Sequence, residues 1–314
     1  MLTTASPLYG LSDFGPPGPA QTQWVDGAGG LRLRTALFPA TQPRGSVVLN
    51  TGRTEFIEKY YEVVGELLAR GFTVLVHDWR GQGESDRLLP DRLKGHAQGA
   101  AAFLDDLDTI LACFKQSLPR PWIVMGHSMG GAITLLHLLE RSSPFQAAVL
   151  SSPMIGVNLH GRSLFARLSI TARRLIGRLG DYVETPTSPP WEDQFPGNSV
   201  SHDEDRFMRT LRLLEAHHDL ALGGPTWGWL DFALTAAETI QSHPGASGLA
   251  IPVHVVAAGQ ESLADTPATQ AFCKRLSRGD CVVAPDAKHE ILMEQDPSRA
   301  IFWNAFDTVA NSLA

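Results

Sequence analysis

The sequence predicts an α/β domain built on a mostly parallel central sheet flanked by helices and interrupted by a helical insertion. Three observations carry this. Short apolar, β-branched runs at 47–50, 73–77, 122–125, 147–151, 253–258 and 281–284 alternate with helical patterns, and strands buried on both faces of a parallel sheet read as continuous apolar runs. The run at 122–125 passes directly into Gly126-His127-Ser128-Met129-Gly130 and then into a helical stretch. After residue 153 the rhythm stops for about 90 residues, too long for a plain loop in a compact domain.

In chain order, residues 1–30 are rich in Gly and Pro and read as an irregular arm leading into the first strands. Helices fit 56–70, 99–115, 128–141, 266–276 and 297–313, each between or after the strands, which makes the connections right-handed crossovers. The division that follows is a core at 1–152, a helical cap at 153–243 and the rest of the core at 244–314.

Composition narrows the function classes. With 26 Lys and Arg against 33 Asp and Glu, the 314-residue chain carries a net charge of −7, opposite in sign to a general nucleic-acid binder. Hydrophobic residues make up 43% and charged residues 19%, below the roughly 25% charged of average soluble domains, so a sizeable core can be buried. Three cysteines without a C-x-x-C pair argue against a disulfide framework and for a reducing, cytoplasmic setting. There is no apolar stretch of membrane-spanning length and no secretory leader pattern at the N-terminus.

Ser128 sits in G-x-S-x-G between a strand and a helix, where a sharp turn needs small residues two positions to either side. The turn aims the hydroxyl out of the sheet, and the helix start offers the Met129 N–H to a developing oxyanion. A serine needs a base, and the base an acid; in this topology the order is serine, acid, histidine. His289, just past the last strand, is in the right place, and its acid is Glu261 or Asp265, both after the strand at 253–258. Glu261 is favoured because Asp265 also suits the N-cap of the next helix. The loop after the strand at 47–50, Thr51-Gly52-Arg53, supplies the second oxyanion donor, the Arg53 N–H.

These residues, with D-W-R-G-Q-G-E-S at 78–85, S-P-M at 152–154, G-G-P-T-W at 223–227 and K-H-E-I-L at 288–292, resemble α/β-hydrolases of the monoacylglycerol lipase and bacterial lysophospholipase group, and bacterial lysophospholipases more closely. The resemblance covers nearly the whole chain. It implies the α/β-hydrolase fold with a lid, the triad Ser128, Glu261 and His289, oxyanion donors Arg53 and Met129, and hydrolysis of a lipid ester without metal or cofactor. A lysophospholipid is the favoured substrate, a monoacylglycerol or short-chain ester the alternative, and a non-catalytic lipid-binding module the alternative of another class. Two positions depart from monoacylglycerol lipases, Thr51 where they carry His and Glu261 where they carry Asp.

Residues 161–179 form a basic amphipathic pattern with Leu164, Phe165, Leu168, Leu175, Ile176 and Leu179 on one face and five arginines elsewhere. Either that face packs on the core, or the helix lines an acyl-chain entrance and meets an anionic membrane surface, the inner one for a cytoplasmic protein. The Arg53 guanidinium is placed to meet a phosphate, unless Glu55 or another carboxylate occupies it. His217-His218-Asp219 lacks the spacing of a metal motif.

Overall fold

A computed structural model describes residues 4–313. Eight strands form one sheet: β1 (Gln21–Asp26), β2 (Arg32–Phe38), β3 (Gly45–Asn50), β4 (Phe72–His77), β5 (Trp122–His127), β6 (Ala147–Ser151), β7 (Val253–Ala258) and β8 (Gly279–Ala284). They lie in the order β1-β2-β4-β3-β5-β6-β7-β8. The β1–β2 and β2–β4 pairings are antiparallel and the remainder parallel. The central strands are buried along their whole length, which is why their sequences are apolar without alternation.

Two cores sandwich the sheet. On one face, Tyr61, Val64 and Leu67 of α1 (Tyr61–Ala69) share a cluster with Phe302 and Phe306 of α8 (Asp296–Asn311). On the other, α2 (Ala101–Phe114), α3 (Ser128–Glu140) and α7 (Thr266–Cys273) contribute Phe103, Ile133 and Phe272. Between β6 and β7 lie α4 (Ser163–Leu175), α5 (Glu204–Ala216) and α6 (Trp227–Ser242). Asp203 caps α5, accepting from the Arg206 N–H, so the acidic run at 203–205 starts a helix and complements its dipole.

Two expectations need correction. Residues 1–30 are not irregular throughout, because Gln21–Asp26 pairs with β2. Gln21-Thr22-Gln23 lies at the sheet edge and reads as polar loop, while β2 carries a charge at its centre. That charge, Arg34, is fully buried: its guanidinium meets Glu58 through two 2.7 Å hydrogen bonds and Asp78 through a third of 2.7 Å. The second correction concerns α4, whose Leu164, Phe165, Leu168, Leu175 and Ile176 do not pack on the core but are 62–83% exposed. Its inward side is formed by Ala166 and Ile170, which pack with Trp227, Leu230 and Leu234. Among the described residues no helix is long and apolar enough to cross a membrane.

Candidate active site

The turn from β5 into α3 holds Ser128 at φ 49°, a left-handed conformation costly for a residue with a Cβ. Its neighbours leave no room for larger residues. A Cβ on Gly126 would lie 2.9 Å from Gly131 Cα, and one on Gly130 would lie 2.2 Å from the Asn50 carbonyl oxygen. The end of β3 is therefore pressed against this elbow, which brings the Thr51-Gly52-Arg53 loop beside Ser128.

His289 follows β8 and Glu261 follows β7. His289 Nε2 lies 2.8 Å from Ser128 Oγ, and His289 Nδ1 lies 2.7 Å from Glu261 Oε2. The other carboxylate oxygen of Glu261 accepts from the Leu263 and Ala264 N–H groups at 2.8 and 3.1 Å. Burial alone would raise the Glu261 pKa, but the His289 partner and these two N–H groups outweigh it and hold the carboxyl below its usual range. Asp265 is turned to another task, accepting from the Ala268 N–H at 2.9 Å as the N-cap of α7.

Met129 opens α3 beside Ser128, and its N–H, like that of Arg53, is not consumed by hydrogen bonding among the described residues. The segment at 78–85 braces the Arg53 loop from below: Trp79 Nε1 donates to the Thr51 carbonyl at 2.9 Å and Gln82 Nε2 to the Gly52 carbonyl at 2.7 Å. Sequence reasoning missed the next element. Glu55 accepts from the Gly52 N–H and, at 2.6 Å, from Tyr60 Oη. Lys59 Nζ lies 3.0 Å from Glu55 and 2.7 Å from Glu290, the neighbour of His289. Burial, which would raise the Glu55 pKa, is outweighed by Lys59, His127 and Tyr60, which bring it to about 2. The i,i+4 spacing of Glu55 and Lys59 is visible in the sequence, but the link to Glu290 is not.

Ser128 and His289 open into a cavity of about 380 Å³ whose walls include Met154, Val157, Trp229 and Leu263. A wider, open hollow of about 740 Å³ around Asn198 and Lys288 contains neither Ser128 nor His289. His217 and His218 stack on Tyr9 and Trp191, with ring centroids 4.2 and 3.9 Å apart.

The sheet order and the strand–serine–helix turn define an enzyme of the α/β-hydrolase class, with a hydrogen-bonded serine, histidine and carboxylate at the mouth of an apolar cavity. The chain belongs to the Hydrolase_4 family, described as serine aminopeptidase S33, whose model matches residues 41–296. It is 32% identical over 290 residues to lysophospholipase L2 of Escherichia coli, covering 89% of this chain and 84% of that one. It is 26% identical over 275 residues to a monoacylglycerol lipase of Mycolicibacterium smegmatis, covering 86% and 90% of the two chains. In three dimensions it is similar to a monoglyceride lipase from Saccharomyces cerevisiae, with a TM-score of 0.74 at 14% identity over 95% of this chain and 97% of that one. A carboxyl esterase from Bacillus coagulans gives 0.72 at 16% identity over 94% and 99%. At those identities the structures speak for the fold alone.

Proposed function

We propose that this enzyme is a lysophospholipase that works through an acyl-enzyme on Ser128. The reading rests on the hydrogen-bonded chain from Ser128 Oγ through His289 to Glu261, supported by the similarity to lysophospholipase L2 of Escherichia coli. Ser128 Oγ attacks the acyl carbonyl while its proton passes to His289 Nε2. Glu261 receives the Nδ1–H and stabilises the imidazolium, and the Arg53 and Met129 amides take the oxyanion. The imidazolium protonates the departing alcohol; His289 then deprotonates the water that releases the fatty acid. The test is fatty-acid release from a lysophospholipid, a monoacylglycerol and a short-chain ester. The highest kcat/KM is expected for the lysophospholipid. A monoacylglycerol or short-ester preference leaves the mechanism and removes the headgroup, and no release from any of the three leaves a lipid-binding module.

Residues 153–243 act in this reading as a cap over the cavity, and α4 as its contact with a lipid surface. Moving one large apolar side chain from water into hydrocarbon is worth about 1.5–3 kcal/mol, and an arginine near an anionic leaflet about 1 kcal/mol. Three of the arginines are also engaged, Arg167 with Glu238, Arg174 with Asp231 and Arg178 with Asp181, while Arg173 lies 4.3 Å over the Trp227 ring. The apolar face therefore supplies most of the affinity and the arginines a preference for anionic lipid, at the inner membrane face of a cytoplasmic protein. Phe165→Asp combined with Leu168→Asp is expected to cut co-sedimentation with anionic vesicles severalfold, and Arg173→Glu with Arg174→Glu to cut it less. Undiminished co-sedimentation of the first variant rules out this contact.

A further inference from the structure

The cavity that holds Ser128 also holds a cation without a counter-charge. The Arg53 side chain lines it, with Nη2 donating to the Gly223 carbonyl and the guanidinium carbon 5.1 Å from the centre of the Trp229 ring. Its Nε is buried and makes no hydrogen bond. Among the described residues no carboxylate lies within ion-pair distance of it. Glu55 and Glu290 are both committed to Lys59, and Glu261 to His289. The surrounding chain is shaped for this guanidinium, since a Cβ on Gly95 would come within 2.7 Å of Nη2. Burial lowers the Arg53 pKa to about 10, which still leaves it cationic near neutral pH.

A half-buried charge with no counter-charge costs stability, and an anionic ligand group bound against it removes that cost. We propose that the Arg53 guanidinium receives the phosphodiester of the substrate headgroup. This deepens the lysophospholipase reading and rests on it. Counted along covalent bonds, the reach from Arg53 N to Cζ equals that from the scissile carbonyl carbon to the phosphorus of a 1-acyl lysophospholipid. One residue thus meets the reacting carbonyl through its backbone and the phosphate through its side chain, with the planar donor array that phosphate oxygens favour. Glycerol in a monoacylglycerol offers no charge for that position.

The experiment compares 1-palmitoyl lysophosphatidylcholine with 1-monopalmitoylglycerol, in the wild type, Arg53→Gln and Arg53→Lys, with Tm measured alongside. The ratio of kcat/KM for the phospholipid to that for the glyceride is expected to fall at least tenfold in Arg53→Gln, mainly through KM, and to recover in part in Arg53→Lys. An unchanged ratio overturns the proposal, whether or not both activities fall together with Tm as a merely structural role requires. If millimolar inorganic phosphate inhibits glyceride hydrolysis by the wild type while the ratio stays constant in Arg53→Gln, the occupant is a free anion and the headgroup assignment is overturned. A wild type that hydrolyses the glyceride and not the phospholipid removes the lysophospholipase reading itself, which separates the two failures.

Discussion

Ser128→Ala is expected to lower kcat for fatty-acid release by roughly 10⁶-fold, the scale on which losing a serine nucleophile acts when its base and acid remain. The fold should survive the change. Alanine keeps the Cβ and the left-handed backbone at 128, and among the described residues the hydroxyl's one hydrogen bond is the one to His289, so Tm is expected to move by no more than about 2 °C. Covalent labelling by a fluorophosphonate ester gives a second reading: the wild type becomes labelled and the variant does not. Residual release above one part in a hundred from pure variant would remove Ser128 as nucleophile.

The largest expected loss of stability comes from a residue remote from the reaction. Arg34→Met leaves the Glu58 and Asp78 carboxylates facing each other in a region where all three side chains are 0% exposed. Burial already pushes the Glu58 pKa upward, with Arg34 as the main opposing influence. Removing one partner of a buried ion pair typically costs about 3–5 kcal/mol because the survivors stay uncompensated, which for a chain of this size lowers Tm by on the order of 10 °C. Activity should fall as well, since Asp78 accepts from the Ile57 and Glu84 N–H groups at 3.0 and 2.8 Å. Those bonds tie together the segments that carry Glu58 and the Trp79 brace. Thermal unfolding followed by circular dichroism at neutral pH measures the effect, and a Tm within about 2 °C of the wild type would contradict it.

The central strands were legible because burial on both faces leaves little in them but apolar residues, and the Ser128 turn because its glycines have a steric cause two residues to each side. β1 and β2 were hidden for opposite reasons, one being polar at an exposed edge and the other holding a charge whose partners lie 24 and 44 residues away. For α4 the helical period separates an apolar from a basic face but contains nothing about which one meets a neighbour. That is decided by α6, whose Trp227, Leu230 and Leu234 take up the narrow Ala166 and Ile170 side. Chain order pointed to His289 and left Glu261 and Asp265 both open as its partner; the helix-cap pattern at Asp265 favoured Glu261, and His289 lies against Glu261 while Asp265 caps α7. The place of Lys59 between Glu55 and Glu290 depends on contacts across most of the chain, and a local pattern does not contain it.

That lysine has a consequence for the timing of synthesis. Ser128 and the Arg53 loop emerge early, whereas Glu290, which completes the ion pair, and His289, which completes the hydrogen-bonded chain, come only after β8. Domains generally fold as units, and a copy that ends at β8 lacks both His289, the partner of Ser128, and Glu290, the second partner of Lys59. Under the proposed mechanism, ester cleavage therefore begins only after translation has passed the last strand and supplied His289.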